Sequence, residues 1–179
     1  MDYQTLQQTK TACSRGQKRG LHFILASVLI WAMVAIVHFT KLPIETKNLL
    51  TFCCTCPLMP LAWLLSKPLG ITFSDKQNPL SSLGIVLSMA QIPYLLIVMW
   101  VYATMPEKMV MTLAMVFGAH LLPFGWLYDS KVYYVMSGLI TIGALVLGLM
   151  FPPKVLALCM MAVEIIFCLL LHLENKNLK

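Results

Sequence analysis

Apolar residues fall along this chain in six long blocks, covering residues 21–40, 48–66, 80–104, 109–128, 132–150 and 155–173. Each block is close to the roughly 20 residues that a helix needs to cross a hydrocarbon core of about 30 Å. The breaks between them carry proline and charge, notably Lys41-Leu42-Pro43, Met105-Pro106-Glu107-Lys108, Asp129-Ser130-Lys131 and Pro152-Pro153-Lys154. Only the stretch 67–79 is long enough for a true loop. The pattern predicts an all-α membrane protein whose six transmembrane helices are arranged as three helical hairpins. Residues 1–20 read as a polar, basic tail with no helical apolar stripe beyond Tyr3 and Leu6, and residues 174–179 as a second short tail. The first block follows basic residues as a signal peptide would. It is long, however, and lacks a small-x-small cleavage site, so it reads as a retained anchor.

Composition turns this pattern into a class. The 179 residues are 59% hydrophobic and 11% charged, with a mean hydropathy of +0.80, which leaves too few polar side chains to cover a soluble globule. Lipid is therefore the expected solvent, and lipids the expected partners. The net charge of +6 sits in tails and short loops rather than along one helix face, which points to headgroups and topology and away from nucleic acid. Nine basic residues (Lys10, Arg15, Lys18, Arg19, Lys67, Lys76, Lys131, Lys176, Lys179) fall on one side and four (Lys41, Lys47, Lys108, Lys154) on the other. That bias predicts cytoplasmic N and C termini in a multi-pass protein of the cell membrane.

The second and fourth blocks also resemble each other. Lys47-x-x-x-Thr51 leads to Pro60-Leu61-Ala62-Trp63-Leu64, and Lys108-x-x-x-Thr112 leads to Pro123-Phe124-Gly125-Trp126-Leu127. Hairpins repeated in parallel orientation would give this pattern. So would the ordinary recurrence of Pro, Trp and terminal Lys in membrane helices.

Glu164 is the first candidate for chemistry, because it lies amid apolar neighbours where an acid costs on the order of 2.5 to 3.5 kcal/mol if it faces lipid. At 1.5 Å per residue it lies about 15 Å below Lys154, while His120 lies about 18 Å below Lys108 and Gln91 about 21 Å below Met105. All three approach the bilayer midplane. They suggest a substrate, ion or proton site in which Glu164 and His120 handle a proton and Gln91 hydrogen-bonds the cargo. The bland alternative is a clasp of neutral polar groups tying three helices together. Pro93 and Pro123 follow Gln91 and His120 closely, and with Pro57 and Pro60 they mark helix breaks that would free backbone carbonyls.

Cys53, Cys54 and Cys56, with Cys159 at a similar depth, form a weak alternative as a thiol redox or soft-metal site. No basic residue adjoins them, and packing is the simpler role. His22 and His38 stand at opposite ends of the first block, as interfacial side chains do. The small-x-x-x-small pairs Ala114/Gly118 and Ala144/Gly148 permit close helix approach, within the chain or between copies of it. Hydrolase, ATPase and zinc-protease readings lack their motifs, and no cofactor is implied.

The run Trp100-Val101-Tyr102-Ala103-Thr104-Met105-Pro106-Glu107-Lys108-Met109-Val110-Met111, continuing to Phe117-Gly118-Ala119-His120-Leu121-Leu122-Pro123, resembles that of an uncharacterised family of small multi-pass bacterial membrane proteins. The likeness runs from about Leu21 to Glu174. It implies a bacterial cell membrane and several spans, and it brings no activity. The first functional reading is a small-molecule or ion transporter. A non-catalytic accessory protein steadying a partner complex comes second, and the thiol redox or metal reading third. A homo-oligomer is compatible with all three.

Overall fold

In hydrocarbon a backbone satisfies its own polar groups only as a helix or a closed barrel, and here every apolar block becomes helix. The computed structural model describes residues 2–75 and 77–176. Met1, Lys76 and residues 177–179, assigned above to the tails and the basic side, lie outside the described residues. The helices are α1 (Tyr3–Gln17), α2 (Leu21–Phe39), α3 (Ile44–Thr55), α4 (Leu58–Ser66), α5 (Pro79–Met89), α6 (Gln91–Thr104), α7 (Met109–His120), α8 (Leu122–Leu127), α9 (Lys131–Met150) and α10 (Pro153–Lys176). They make six stretches long and apolar enough to cross a membrane: Tyr3–Phe39, Ile44–Ser66, Pro79–Thr104, Pro106–Leu127, Lys131–Met150 and Pro153–Lys176. Large apolar side chains such as Ile92, Leu96, Ile97, Val135, Leu139, Ile142 and Leu149 point outward from these stretches. Only lipid makes such a surface stable.

Three of the six spans are interrupted within their apolar blocks. The α3–α4 span breaks at Cys56-Pro57, α5–α6 at Ala90 and α7–α8 at Leu121. Each break has a proline just beyond it. Pro57 caps α4, Pro60 and Pro93 are the third residues of α4 and α6, and Pro123 is the second residue of α8. A proline is tolerated in a first turn because its missing N–H would have no helical acceptor there, whereas in a continuous helix it removes a bond and clashes with the preceding turn.

Packing closes the bundle by setting the first span on the last. α2 lies along α10 and also touches α3 and α4, while α7 lies along α9 and α6, and α5 meets α8. The α7–α9 contact uses both small-residue pairs. A Cβ on Gly118 would stand 2.8 Å from the Thr141 amide nitrogen, and one on Gly148 would overlap the Met111 side chain. Ser137 Oγ exploits that approach and donates to the Gly118 carbonyl at 2.8 Å. These motifs therefore act within the chain.

Polar contacts tie off both ends. At one end α1, which has no apolar stripe, is a helix held by tertiary bonds: Ser14 Oγ donates to the Tyr128 carbonyl at 2.9 Å, Gln17 Nε2 donates to Ser81 Oγ at 2.9 Å, and Lys10 Nζ lies 4.5 Å over the Trp126 ring. The expected tail is thus a docked helix in this structure. Lys18, Arg19 and Gly20 turn the chain from α1 into α2 with φ of 45°, 51° and 69°. Gly20 is needed there, since a Cβ would sit 3.0 Å from Tyr133 Oη in a backbone conformation that already disfavours side chains. Arg19 Nη1 donates to the Glu174 carbonyl at 3.1 Å, and Arg19 Nε stands 3.5 Å from Glu174 Oε2. The opposite end is held by His38 with Thr51 at 3.1 Å, Asn48 Nδ2 to the Pro106 carbonyl at 2.8 Å and Lys108 Nζ to the Gly148 carbonyl at 3.0 Å.

Candidate functional site

The three helix breaks face one another. Around them lies a cavity of about 270 Å³ lined by Thr55, Cys56, Leu58 and Met59 from the first break, Ser88, Met89, Gln91 and Ile92 from the second, and Phe117, His120, Leu121 and Phe124 from the third. Phe23 and Ile24 of α2 complete the wall. Tyr128 and Tyr133 close the side toward α1, and each commits its hydroxyl hydrogen elsewhere: Tyr128 Oη donates to Gln17 Oε1 at 2.7 Å and Tyr133 Oη to the Arg19 carbonyl at 2.8 Å. Their rings thus present an apolar surface. A second cavity of about 40 Å³ shares Thr55, Leu58, Gln91, Leu113 and Phe117 with the first and reaches Ser27, Trp31 and Val34 of α2.

His120 supplies the polar feature of the large cavity. Its Nε2 lies 3.0 Å from the Leu87 carbonyl oxygen, and since a carbonyl only accepts, Nε2 carries the hydrogen of the neutral ring. Nδ1 is then an acceptor, and among the described residues it is buried without a partner. The Phe124 ring holds the imidazole edge at a centroid distance of 5.2 Å. Gln91 is half-buried, borders both cavities, and makes no side-chain hydrogen bond among the described residues.

Glu164 lies elsewhere. It is fully buried on α10, where its Oε2 is 2.6 Å from Ser27 Oγ of α2, and its Oε1 has no partner among the described residues. It borders neither cavity. Of the three midplane candidates, the structure brings His120 and Gln91 to one wall and sets Glu164 behind Ser27. Sequence reasoning did not single out Ser27, Thr55 or the aromatic lining. For Ser27 there was a signal, because it is the lone serine within the first apolar block.

The cysteines do not assemble. At about 100° per residue Cys53 and Cys56 come within about 60° of each other at the end of α3, while Cys54 turns to another side. All six cysteines are free. Among the described residues no group of three His, Cys, Asp or Glu side chains could hold a metal ion, so Cys53, Cys54, Cys56 and Cys159 form no ligand set. Cys56 does line the large cavity.

Comparison with known proteins matches residues 6–174 to one family model, described as a family of unknown function (DUF7010). No curated protein and no solved structure matches the chain.

Proposed function

Because the chain belongs to DUF7010, a family of unknown function, its own geometry must carry the reading, and we propose that it is a transporter of small, uncharged, largely apolar molecules bearing a hydrogen-bond donor. One observation carries this reading: three interrupted spans meet at a single cavity whose apolar wall holds Gln91, a half-buried amide with no side-chain hydrogen bond among the described residues. Broken helices at membrane depth are tolerated where they line a cavity, and they provide the joints about which half-helices move. The lining of Phe23, Phe117, Phe124, Tyr128 and Tyr133 gives a hydrated ion nothing in exchange for its water. It suits a planar apolar body whose N–H or O–H meets the Gln91 side chain, with the His120 ring beside it on the wall. The volume accepts a bicyclic aromatic. In this reading the protein sits in a bacterial cell membrane with the α1 end in the cytoplasm, the orientation favoured by Lys10, Arg15, Lys18 and Arg19.

Indole tests the reading. Protein in lipid nanodiscs is expected to bind it saturably above the partitioning seen in empty discs, and to speed its exchange across proteoliposomes. Gln91→Leu should weaken binding about tenfold, the loss of one buried hydrogen bond of about 1.4 kcal/mol. Absence of saturable binding would overturn the proposal, and a membrane partner retained through purification would then favour an accessory role.

A further inference from the structure

We propose that Glu164 is the proton-carrying group of this protein and that Ser27 links it to the ligand cavity, so that cargo movement is coupled to a proton. The inference rests on the ligand reading above and adds the coupling ion. Its basis is a count of hydrogens. Ser27 Oγ has two acceptor atoms within reach, the Ile24 carbonyl at 2.8 Å and Glu164 Oε2 at 2.6 Å, but its hydroxyl has one hydrogen to give. A hydrogen on Glu164 completes the set: Glu164 donates to Ser27, and Ser27 donates to Ile24. Without that hydrogen, Ser27 must turn its own away from the Ile24 carbonyl and toward the carboxylate. The hydroxyl therefore has two settings, one for each state of the acid.

Ser27 also stands where the outcome matters. It borders the small cavity, which continues into the large one past Thr55 and Gln91. About 40 Å³ flanked by Ser27, Thr55 and Gln91 has room and polar partners for a water molecule. Once the Ser27 hydroxyl turns its hydrogen from the Ile24 carbonyl to that water, the proton passes from Glu164 Oε2 to Ser27 Oγ as the serine's own hydrogen passes to the water, leaving a carboxylate on α10 and an excess proton in the cavity. The return step reverses each transfer.

Among the described residues no fixed cation holds Glu164 in one state. Among the described residues it has no Lys or Arg partner, and the one ion pair of the bundle joins Arg19 to Glu174 at the α1 end. The titratable groups toward it are Tyr133 from α9, whose hydroxyl is committed to the Arg19 carbonyl, and Cys168 from α10 itself. On α2, His22 packs at an angle against Phe23 and Phe73 about a turn and a half from Ser27, and His38 is bonded to Thr51 at the far end. α7 contributes His120, on the cavity wall. The α1–α2 turn contributes Arg19.

The test uses the full-length protein in nanodiscs, with indole as the ligand. Indole affinity should change by up to about tenfold per pH unit across part of the titration range. Indole addition should also shift a pH-indicator dye in weak buffer. Glu164→Gln should still bind indole but with the Glu164-dependent slope and dye signal gone, whatever His120 contributes. Difference infrared spectra after a pH jump should show a protonated-carboxyl band that disappears in Glu164→Gln and decays about tenfold or more slower in Ser27→Ala. If the wild-type protein shows no saturable indole binding, the ligand reading and this inference fall together. If binding is intact and its pH slope is the same in wild type and Glu164→Gln, the ligand reading stands and the coupling is overturned. Should Glu164→Gln fail to fold, the infrared arm decides: a missing carboxyl band in wild type, or decay at an unchanged rate in Ser27→Ala, would overturn it.

Discussion

At the scale of single residues, the bundle is tied by a few polar side chains whose loss should be unequal. Ser27→Ala removes the partner of a buried carboxyl and is expected to cost about 1 to 2 kcal/mol, read as a lower unfolding temperature in detergent. Adding Glu164→Leu to that variant should recover part of the loss, because an apolar pair leaves nothing unpaired. Arg19→Ala should cost about 2 kcal/mol, since Arg19 bonds both the main chain and the side chain at the end of α10. The burial of Glu164 could be read from the sequence, because an acid amid apolar neighbours avoids lipid. Its partner could not. Depth gives the height of a residue along its helix but not the direction in which it faces, and that direction depends on which helix lies alongside. α10 lies along α2, so Glu164 meets Ser27 rather than the histidine of α7.

At the scale of elements, the six spans were legible because runs of about 20 apolar residues have few other solutions. The breaks were legible too, in that Pro57, Pro93 and Pro123 each stand in or beside the first turn of a new helix. α1 was not. Its sequence has no apolar face, and it becomes a docked helix through Ser14, Gln17 and Lys10, whose partners lie more than 60 positions away. The α7–α9 contact supports a sharp expectation: Gly118→Val should destabilise the protein by about 1 to 3 kcal/mol, because the new side chain meets the Thr141 backbone, which cannot swing aside. Gly148→Ala meets the flexible Met111 side chain and should cost less. Pro123→Ala restores a backbone donor at the third break. It should raise the unfolding temperature while lowering indole affinity, as the cavity wall straightens.

At the scale of the whole molecule, one end of the bundle gathers the α1–α2 turn, the loop before α5, the end of α8 and the end of α10. The proposed orientation puts that end in the cytoplasm, following the bias of basic residues. In a background with its native cysteines replaced by serine, Glu107→Cys should react with an impermeant maleimide on intact cells and Thr5→Cys only after permeabilisation. The reverse pattern would invert the orientation, and labelling of both on intact cells would contradict a common cytoplasmic end.

The ligand cavity can be tested directly through Cys56, a natural thiol on its wall. With Cys56 as the sole cysteine, its alkylation in nanodiscs should slow about tenfold when indole is present at ten times its dissociation constant. A chain retaining only Cys53, which lies outside the cavity lining, should react at the same rate with or without indole. Equal alkylation of Cys56 in the two conditions, or equal protection of Cys53, would mean that the space between the three broken helices is not where the ligand binds.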